Sequence, residues 1–98
     1  MNRDEIIRRL ADKEPAIRAM GVDHLHLYGS YAHGTPNGSS DVDLFFDRDM
    51  SFDLGLIELA RLQFFLQSLL GVDVDVGTRT SLHPRLKSGI EQSSVRVF

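Results

Sequence analysis

Residues 25–46 read LHLYGSYAHGTPNGSSDVDLFF and form the most informative segment of the chain. Apolar and polar residues alternate over Val22–Tyr28, as they do in a half-buried strand. Gly29–Gly34 reads as a tight turn that leads into about one helical turn, and Thr35–Ser40 reads as a loop because it contains Pro, Asn and Gly. A second strand is predicted over Val42–Phe46. The segment therefore predicts two strands joined by a short helix and a loop.

Helical and extended patterns lie on both sides of this segment. Arg3–Met20 has apolar residues at helical spacing, but Pro15 disfavours a continuous helix, so we expect a kink or a short second helix near Pro15. The longest predicted helix spans Phe52–Leu70 and ends at Gly71. The remaining predictions are a strand over 72–76, a weak helix over Leu82–Ser93, and either a frayed end or a fourth strand over Val95–Phe98. This order, α-β-α-β-α-β-α, predicts an α+β fold in which helices flank a small mixed β-sheet.

Length, composition and charge exclude several classes of protein. With 98 residues, of which 42% are hydrophobic and 26% are charged, the chain predicts a single globular domain over residues 1–98. The formal net charge of −3 provides no basic surface for a long nucleic acid. The chain has no Cys, which excludes disulfides and thiolate chemistry. No apolar run is long enough for a membrane span, and the N-terminal segment is charged, so we expect a soluble cytoplasmic protein.

The Phe52–Leu70 helix is apolar on nearly every side. A helix of this kind must be covered on more than one side. In so small a domain, we expect part of that cover to come from another chain, or from the terminal helices. The Phe45–Phe46 and Phe64–Phe65 pairs are interpreted as core or interface residues rather than as base-stacking platforms.

Two carboxylates open the second strand, at Asp41 and Asp43. Residues i and i+2 of a strand project to the same face about 6.6 Å apart, so these side chains repel each other unless a cation lies between them. Mg²⁺ prefers carboxylate oxygens and completes its coordination shell with substrate phosphates. Gly29 allows the backbone to approach a ligand closely, and Ser30 offers a hydroxyl and an amide to phosphate. The segment therefore predicts a metal–phosphate site.

This Gly-Ser turn followed by an Asp-x-Asp strand resembles the signature of the DNA polymerase beta nucleotidyltransferase superfamily, in particular its minimal nucleotidyltransferase (MNT) branch. The resemblance covers nearly the whole chain and implies the nucleotidyltransferase fold. It also implies that Gly29 and Ser30 hold the nucleoside triphosphate, here ATP, and that Asp41 and Asp43 bind the metals, two Mg²⁺ ions.

In this family a third acidic residue, on the next strand, completes the metal site. Asp73 and Asp75 share a face of the predicted third strand, so parity alone leaves both possible. Leu82, His83 and Pro84 resemble the start of the family's last helix. This register favours Asp75 as the third ligand, with Asp73 as a flanking charge or minor contributor.

The four histidines are interpreted separately. His33 lies where relatives often have Arg in the short helix. A neutral imidazole donates one hydrogen bond to phosphate, whereas the charged guanidinium of Arg donates two. This difference predicts weaker or pH-dependent triphosphate binding. His24 and His26 have the spacing of a metal-binding pair but are interpreted as a solvated or helix-covered face. His83 is interpreted as part of a helix start.

The resemblance implies two-metal nucleotidyl transfer, in which Asp75 lies nearer the acceptor and helps to remove its proton. MNT proteins of this size resemble antitoxins that pair with a HEPN-domain ribonuclease toxin and transfer AMP from ATP to a tyrosine of that toxin. Two alternatives remain open. One is an antitoxin that neutralises its partner by binding alone. The other is a small-molecule nucleotidyltransferase that works as a homo-oligomer or with a separate substrate-binding subunit.

Overall fold

The computed structural model describes residues 1–35 and 41–98, and residues 36–40 of the predicted loop lie outside this description. The described chain contains five α-helices, one 3₁₀ turn and four strands. The elements are α1 (Arg3–Asp12), α2 (Glu14–Arg18), β1 (Val22–Tyr28), α3 (Gly29–His33), β2 (Val42–Arg48), α4 (Leu56–Leu70), β3 (Val74–Thr78), a 3₁₀ turn (Arg79–Ser81), α5 (Pro84–Ser93) and β4 (Val95–Arg96). This composition confirms the predicted α+β class.

The strands form one mixed sheet in the order β3-β2-β1-β4. β1 and β2 are antiparallel and pair Tyr28 with Asp43, whereas β2 and β3 are parallel and pair Asp43 with Asp75. β4 adds to the other edge of β1, where Val95 lies opposite Leu27. The C-terminal residues therefore form a fourth strand, which was one of the two predictions for this segment.

One face of the sheet carries the hydrophobic core. Leu25 and Leu27 of β1 are fully buried on this face, as the alternation predicts. α2 contacts β1, α4 contacts β3, and α1 packs against α4. Other core residues include Ile6, Leu10, Ile17, Leu62, Leu66 and Leu70 from the helices, and Val42, Leu44, Phe46, Val74 and Val76 from the strands. Their removal from water supplies the main driving force for folding.

A network around Arg79 organises the opposite face of the sheet. Phe45 is fully buried there, outside the main core, with its ring stacked on the imidazole of His26 at a centroid distance of 4.6 Å. The guanidinium of Arg79 lies 4.9 Å from the centroid of the same ring. It donates to the carboxylate of Asp47 at 2.6 and 3.0 Å and to Glu91 of α5 at 2.5 Å. These contacts fasten α5 to the sheet.

The pairing of Asp47 with Arg79 should make the stability of the fold depend on pH. The hydrogen bond from Arg79, more than any other contact, holds the pKa of Asp47 below its usual range. The pair therefore stabilises the folded state at pH values above the pKa of an unfolded Asp, about 3.9. This stabilisation is lost as the pH falls through the lower pKa of the folded state.

We expect Asp47→Asn to lower the free energy of unfolding by about 1 to 2 kcal/mol at neutral pH. The difference from the unsubstituted protein should shrink as the pH falls below about 4. Urea unfolding at a series of pH values measures both effects. Asp53→Asn, which changes an exposed carboxylate, is the control and should alter stability little. If Asp47→Asn lowered the free energy of unfolding by the same amount at neutral and acidic pH, this role of the pair would be contradicted.

The prediction for the start of the longest helix is wrong. The predicted span was Phe52–Leu70, but α4 begins at Leu56. A turn precedes it, in which the carboxylate of Asp49 accepts a hydrogen bond from the backbone N–H two residues later at 2.9 Å. The N–H of Gly55 then donates to Glu58 Oε1 at 2.8 Å and caps the helix. These local hydrogen bonds override the apolar pattern.

Other boundaries follow from pairing between strands. β3 begins at Val74 rather than at residue 72 and continues to Thr78, because its pairing with β2 starts opposite Val42. The expected interruption at Pro15 is confirmed, since Pro15 lies in the first turn of the short helix α2. Gly71, with φ +72°, ends α4 as predicted.

The described residues cover α4 on one side only. Leu62, Leu66 and Leu70 are buried. The exposed side carries Leu56, Ile57 and Phe64, with exposed fractions of 87%, 66% and 71%. The apolar side chains on this side of the helix are therefore not covered by the described part of the chain. Phe64 is not a core residue. No described helix is both long and apolar enough to cross a membrane.

Candidate active site

Gly29 joins β1 to α3 in a conformation that requires glycine. Its φ is +75°, in the left-handed region. A Cβ atom at this position would overlap the carboxylate of Asp43, and it would lie 3.1 Å from Asp43 Cγ. Backbone conformation and available space therefore both require Gly29, directly beside the acidic strand.

The short helix α3 presents polar side chains next to this turn. Tyr31 and Ala32 are buried and anchor the helix, while Gly34 ends it with φ +74°. Ser30 is half-buried and His33 is exposed. The two predicted nucleotide-binding side chains are therefore both accessible from solvent.

Asp43 lies at the centre of the acidic residues. It is paired with Tyr28 of β1 on one side and with Asp75 of β3 on the other. Because adjacent strands are about 4.8 Å apart, the carboxylates of Asp43 and Asp75 project from neighbouring positions of one face. Asp41 immediately precedes β2 and is exposed. The structure thus brings these three predicted ligands to one end of the sheet.

The negative charges at this end of the sheet repel one another. The pKa of Asp43 is raised above its usual value, mainly by burial and to a smaller extent by the charges of Asp75 and Asp41. The pKa of the Tyr28 hydroxyl is also raised, mainly by burial and to a smaller extent by the charges of Asp43 and Asp75. The ion pairs among residues 1–35 and 41–98 involve other carboxylates. A bound cation would relieve this repulsion.

The strand register distinguishes the two candidates for the third acidic residue. Asp75 lies within β3, opposite Asp43, whereas Asp73 precedes the strand. The carbonyl of Asp73 accepts a hydrogen bond from Val42 N–H at 3.0 Å, which starts the pairing of the two strands. Asp75 is among the charges that raise the pKa of Asp43, and Asp73 is not. Asp75 is therefore the closer neighbour of the acidic pair.

The chemistry of these donors fits a hard divalent cation. Asp41, Asp43 and Asp75 offer only carboxylate oxygens, which are the ligands that Mg²⁺ prefers. In the described part of the chain, no three acidic or imidazole side chains are close enough to hold one ion together. These residues fit Mg²⁺ because their donors are carboxylate oxygens whose negative charge is not neutralised by an ion pair among the described residues, and not because they form a preassembled coordination site.

Two clefts adjoin the acidic residues. They share three walls, which are Tyr28 of β1 and Leu86 and Ile90 of α5. The first cleft, of about 320 Å³, is also lined by Gly29, His33 and Arg85. The second, of about 410 Å³, is also lined by Asp75 and by residues of the connection between β3 and α5. The site therefore has room for two chemical groups, one beside the Gly-Ser turn and one beside Asp75.

The nucleotidyltransferase domain family matches residues 3–97. The chain belongs to this family. This nucleotidyltransferase is 36% identical over 100 residues to a protein of Methanocaldococcus jannaschii that is named for an inferred protein adenylyltransferase activity, and the alignment covers the whole length of both chains.

Two solved structures are similar to this nucleotidyltransferase. One is described as a minimal nucleotidyltransferase; it has a TM-score of 0.82 and 27% identity, with 97% of this chain and 95% of the other covered. The other is a toxin–antitoxin complex with AMP-PNP; it has a TM-score of 0.70 and 26% identity, with 100% of this chain and 73% of the other covered. They confirm the predicted fold and the predicted MNT branch.

Tyr28 and Arg85 were not predicted to be site residues of this nucleotidyltransferase, but Tyr28 lines both clefts and Arg85 lines the first. Tyr28 continues the polar face of β1 that carries His24 and His26, so strand alternation could have indicated it. His83 precedes α5, as predicted, and its Nδ1 accepts a hydrogen bond from the N–H of Arg85 at 3.1 Å. A basic residue in the first turn of the last helix was the available signal for Arg85.

Proposed function

We propose that this nucleotidyltransferase is a cytoplasmic protein adenylyltransferase that transfers AMP from ATP to a tyrosine of a HEPN ribonuclease toxin, and so acts as its antitoxin. The name of the Methanocaldococcus jannaschii relative supports protein adenylyl transfer, and the toxin–antitoxin complex with AMP-PNP supports a toxin as the partner. The observation that carries the proposal is the pairing of Asp43 with Asp75 beside Gly29. This pairing puts two carboxylates next to a residue without a side chain at one end of the sheet, which supports a site for metal and phosphate.

Asp41, Asp43 and Asp75 would hold the two Mg²⁺ ions that the family resemblance implies. When bound, the ions would withdraw charge from the phosphates and make the acceptor hydroxyl more acidic. The carboxylates would fix the positions of the two ions, because β2 and β3 are adjacent in one sheet. Without a bound cation, the three carboxylates create a strongly negative potential, which favours cations over other ligands.

Gly29, Ser30 and His33 form the nucleotide side of the site. Since Gly29 has no side chain, a phosphate group can approach the backbone next to Asp43. The hydroxyl of Ser30 and its backbone N–H are donors for phosphate oxygens. His33 lines the cleft beside the turn and offers one further donor.

Asp75 forms the acceptor side of the site, because it lines the second cleft. A tyrosine hydroxyl in this cleft would attack the α-phosphorus of ATP. The new bond joins the tyrosine oxygen to AMP, the bond to the β-phosphate oxygen breaks, and pyrophosphate leaves. The proton of the hydroxyl passes to Asp75 or through it to water. The residue acts mainly by position and charge.

The toxin would contribute the surface that presents its tyrosine. Exposed apolar residues of a small protein often mark an interface. The exposed side of α4, with Leu56, Ile57 and Phe64, offers such a surface for the toxin.

Incubation of the protein with labelled ATP, Mg²⁺ and the HEPN product of the neighbouring gene tests the proposal. Transfer of label to a tyrosine of the partner, mapped by mass spectrometry and lost when that tyrosine is replaced by Phe, is the expected result. A stable complex without label would instead indicate an antitoxin that acts by binding alone. Neither binding nor label would favour a small-molecule acceptor.

The two aspartates before and within β3 should differ in their importance for transfer. We expect Asp75→Asn to reduce the rate of AMP transfer by more than about tenfold, because its carboxylate neighbours Asp43. Asp73→Asn is the matched control and should change the rate by less than about threefold, since its side chain lies outside the paired strand. Initial rates with labelled ATP measure both. The reverse order would transfer the assignment to Asp73.

A further inference from the structure

The cleft beside the Gly-Ser turn contains an arginine with no assigned role. Arg85 and His33 line it together with Gly29. Arg85 lies in the first turn of α5, and His33 is the last residue of α3. Since α3 and α5 contact each other, the two side chains approach the same space from different helices.

The charges of the two clefts differ. Arg85 is the arginine in the lining of the first cleft, and none of the ion pairs among the described residues involves it. The second cleft is lined by the carboxylate of Asp75 and by neither Lys nor Arg. A polyanion such as the triphosphate of ATP is therefore favoured in the first cleft.

Arg85 has a backbone that is anchored at the start of α5. Its backbone N–H donates to His83 Nδ1, which caps α5, and Pro84 occupies the first helical position. Further along α5, Glu91 accepts a hydrogen bond from Arg79 at 2.5 Å and ties the helix to the sheet. Arg85 therefore lines the cleft from an anchored backbone.

We infer that Arg85 binds the β- and γ-phosphates of ATP in this cleft and stabilises the pyrophosphate that leaves. Arg is suited to this role because its planar guanidinium donates two parallel hydrogen bonds to phosphate. The inference rests on the proposed function, because it assigns the triphosphate to this site. It makes Arg85, with Ser30 and His33, part of the nucleotide side.

Equilibrium binding of Mg²⁺–ATP and of AMP to the purified chain tests the inference. We expect Arg85→Gln to weaken ATP binding by roughly 10- to 100-fold and to leave AMP binding unchanged, because AMP lacks the β- and γ-phosphates. Arg85→Lys should retain part of the affinity. Arg8→Gln, which removes an exposed arginine from α1, is the control and should bind both nucleotides like the unsubstituted protein.

A second substitution separates a phosphate contact from a structural role. His33→Arg should restore ATP affinity to Arg85→Gln, because it returns a guanidinium to the same cleft. Equal loss of ATP and AMP binding, or failure of His33→Arg to restore binding, would overturn the inference and indicate a structural role. Unchanged ATP affinity in Arg85→Gln would overturn it while leaving the proposed function intact. If the unsubstituted protein bound no ATP, the proposed function and the inference would both fail.

Discussion

Asp43→Asn is expected to reduce AMP transfer by more than about a hundredfold, because the loss of residues that only support metal ligands already costs roughly 10- to 100-fold. Asp43 lies between Tyr28 and Asp75 in the sheet and against Gly29, so its carboxylate is central to the proposed metal site. An amide of the same shape keeps the packing but removes the charge. Initial rates of transfer from labelled ATP measure the effect.

The same substitution should stabilise the protein in the absence of divalent cations. Burial and the charges of Asp75 and Asp41 raise the pKa of Asp43 in the folded state. At neutral pH the ionised carboxylate therefore disfavours the folded state, and this cost disappears as the pH falls below the pKa of an unfolded Asp, about 3.9. Asp43→Asn in the presence of EDTA should thus have a higher Tm at neutral pH and little advantage in acid.

The combination of lower activity and higher stability distinguishes a functional charge from a structural one. Asp47→Asn is the matched control, since Asp47 lies on the same strand but is paired with Arg79. That substitution should lower stability. Undiminished transfer by Asp43→Asn, or a lower Tm without metal, would contradict the assignment of Asp43.

Gly29→Ala is expected to reduce transfer on the order of a hundredfold, the effect of misplacing a reacting group by about 1 Å. The new Cβ would overlap the carboxylate of Asp43, so this carboxylate must turn away from the Gly-Ser turn. The left-handed φ of +75° adds a strain of about 1 to 2 kcal/mol. Activity and stability should therefore both fall.

Gly71→Ala is the control that separates these two effects. Gly71 has nearly the same φ, +72°, but a Cβ there would meet no atom within 4 Å. It should show a similar loss of stability in urea unfolding and full transfer activity. Equal activity of the two variants would show that the contact between Gly29 and Asp43 is unimportant.

Local patterns predicted much of the site because its residues are close in the sequence. Strand alternation and the spacing of Asp41 and Asp43 require only the geometry of one strand. Gly29 follows directly from the turn at the end of β1. The roles of these residues in catalysis remain predictions that the proposed experiments test.

Other features depend on contacts between distant segments. Parity could not choose between Asp73 and Asp75, because the choice depends on the register in which β3 pairs with β2. The contacts of Arg79 with Asp47 and Glu91 span 32 and 12 residues, and no sequence periodicity encodes them. The late start of α4 reflects local hydrogen bonds that compete with helix formation.

Calorimetric titration of ATP into the protein, with Mg²⁺ and then with EDTA, tests the central claim that Asp41, Asp43 and Asp75 hold divalent cations with the nucleotide. ATP should bind in the presence of Mg²⁺, bind far more weakly in EDTA, and lose this dependence on metal in Asp43→Asn and Asp75→Asn. Equal affinity for ATP with and without Mg²⁺, or the same metal dependence in both variants, would contradict the account.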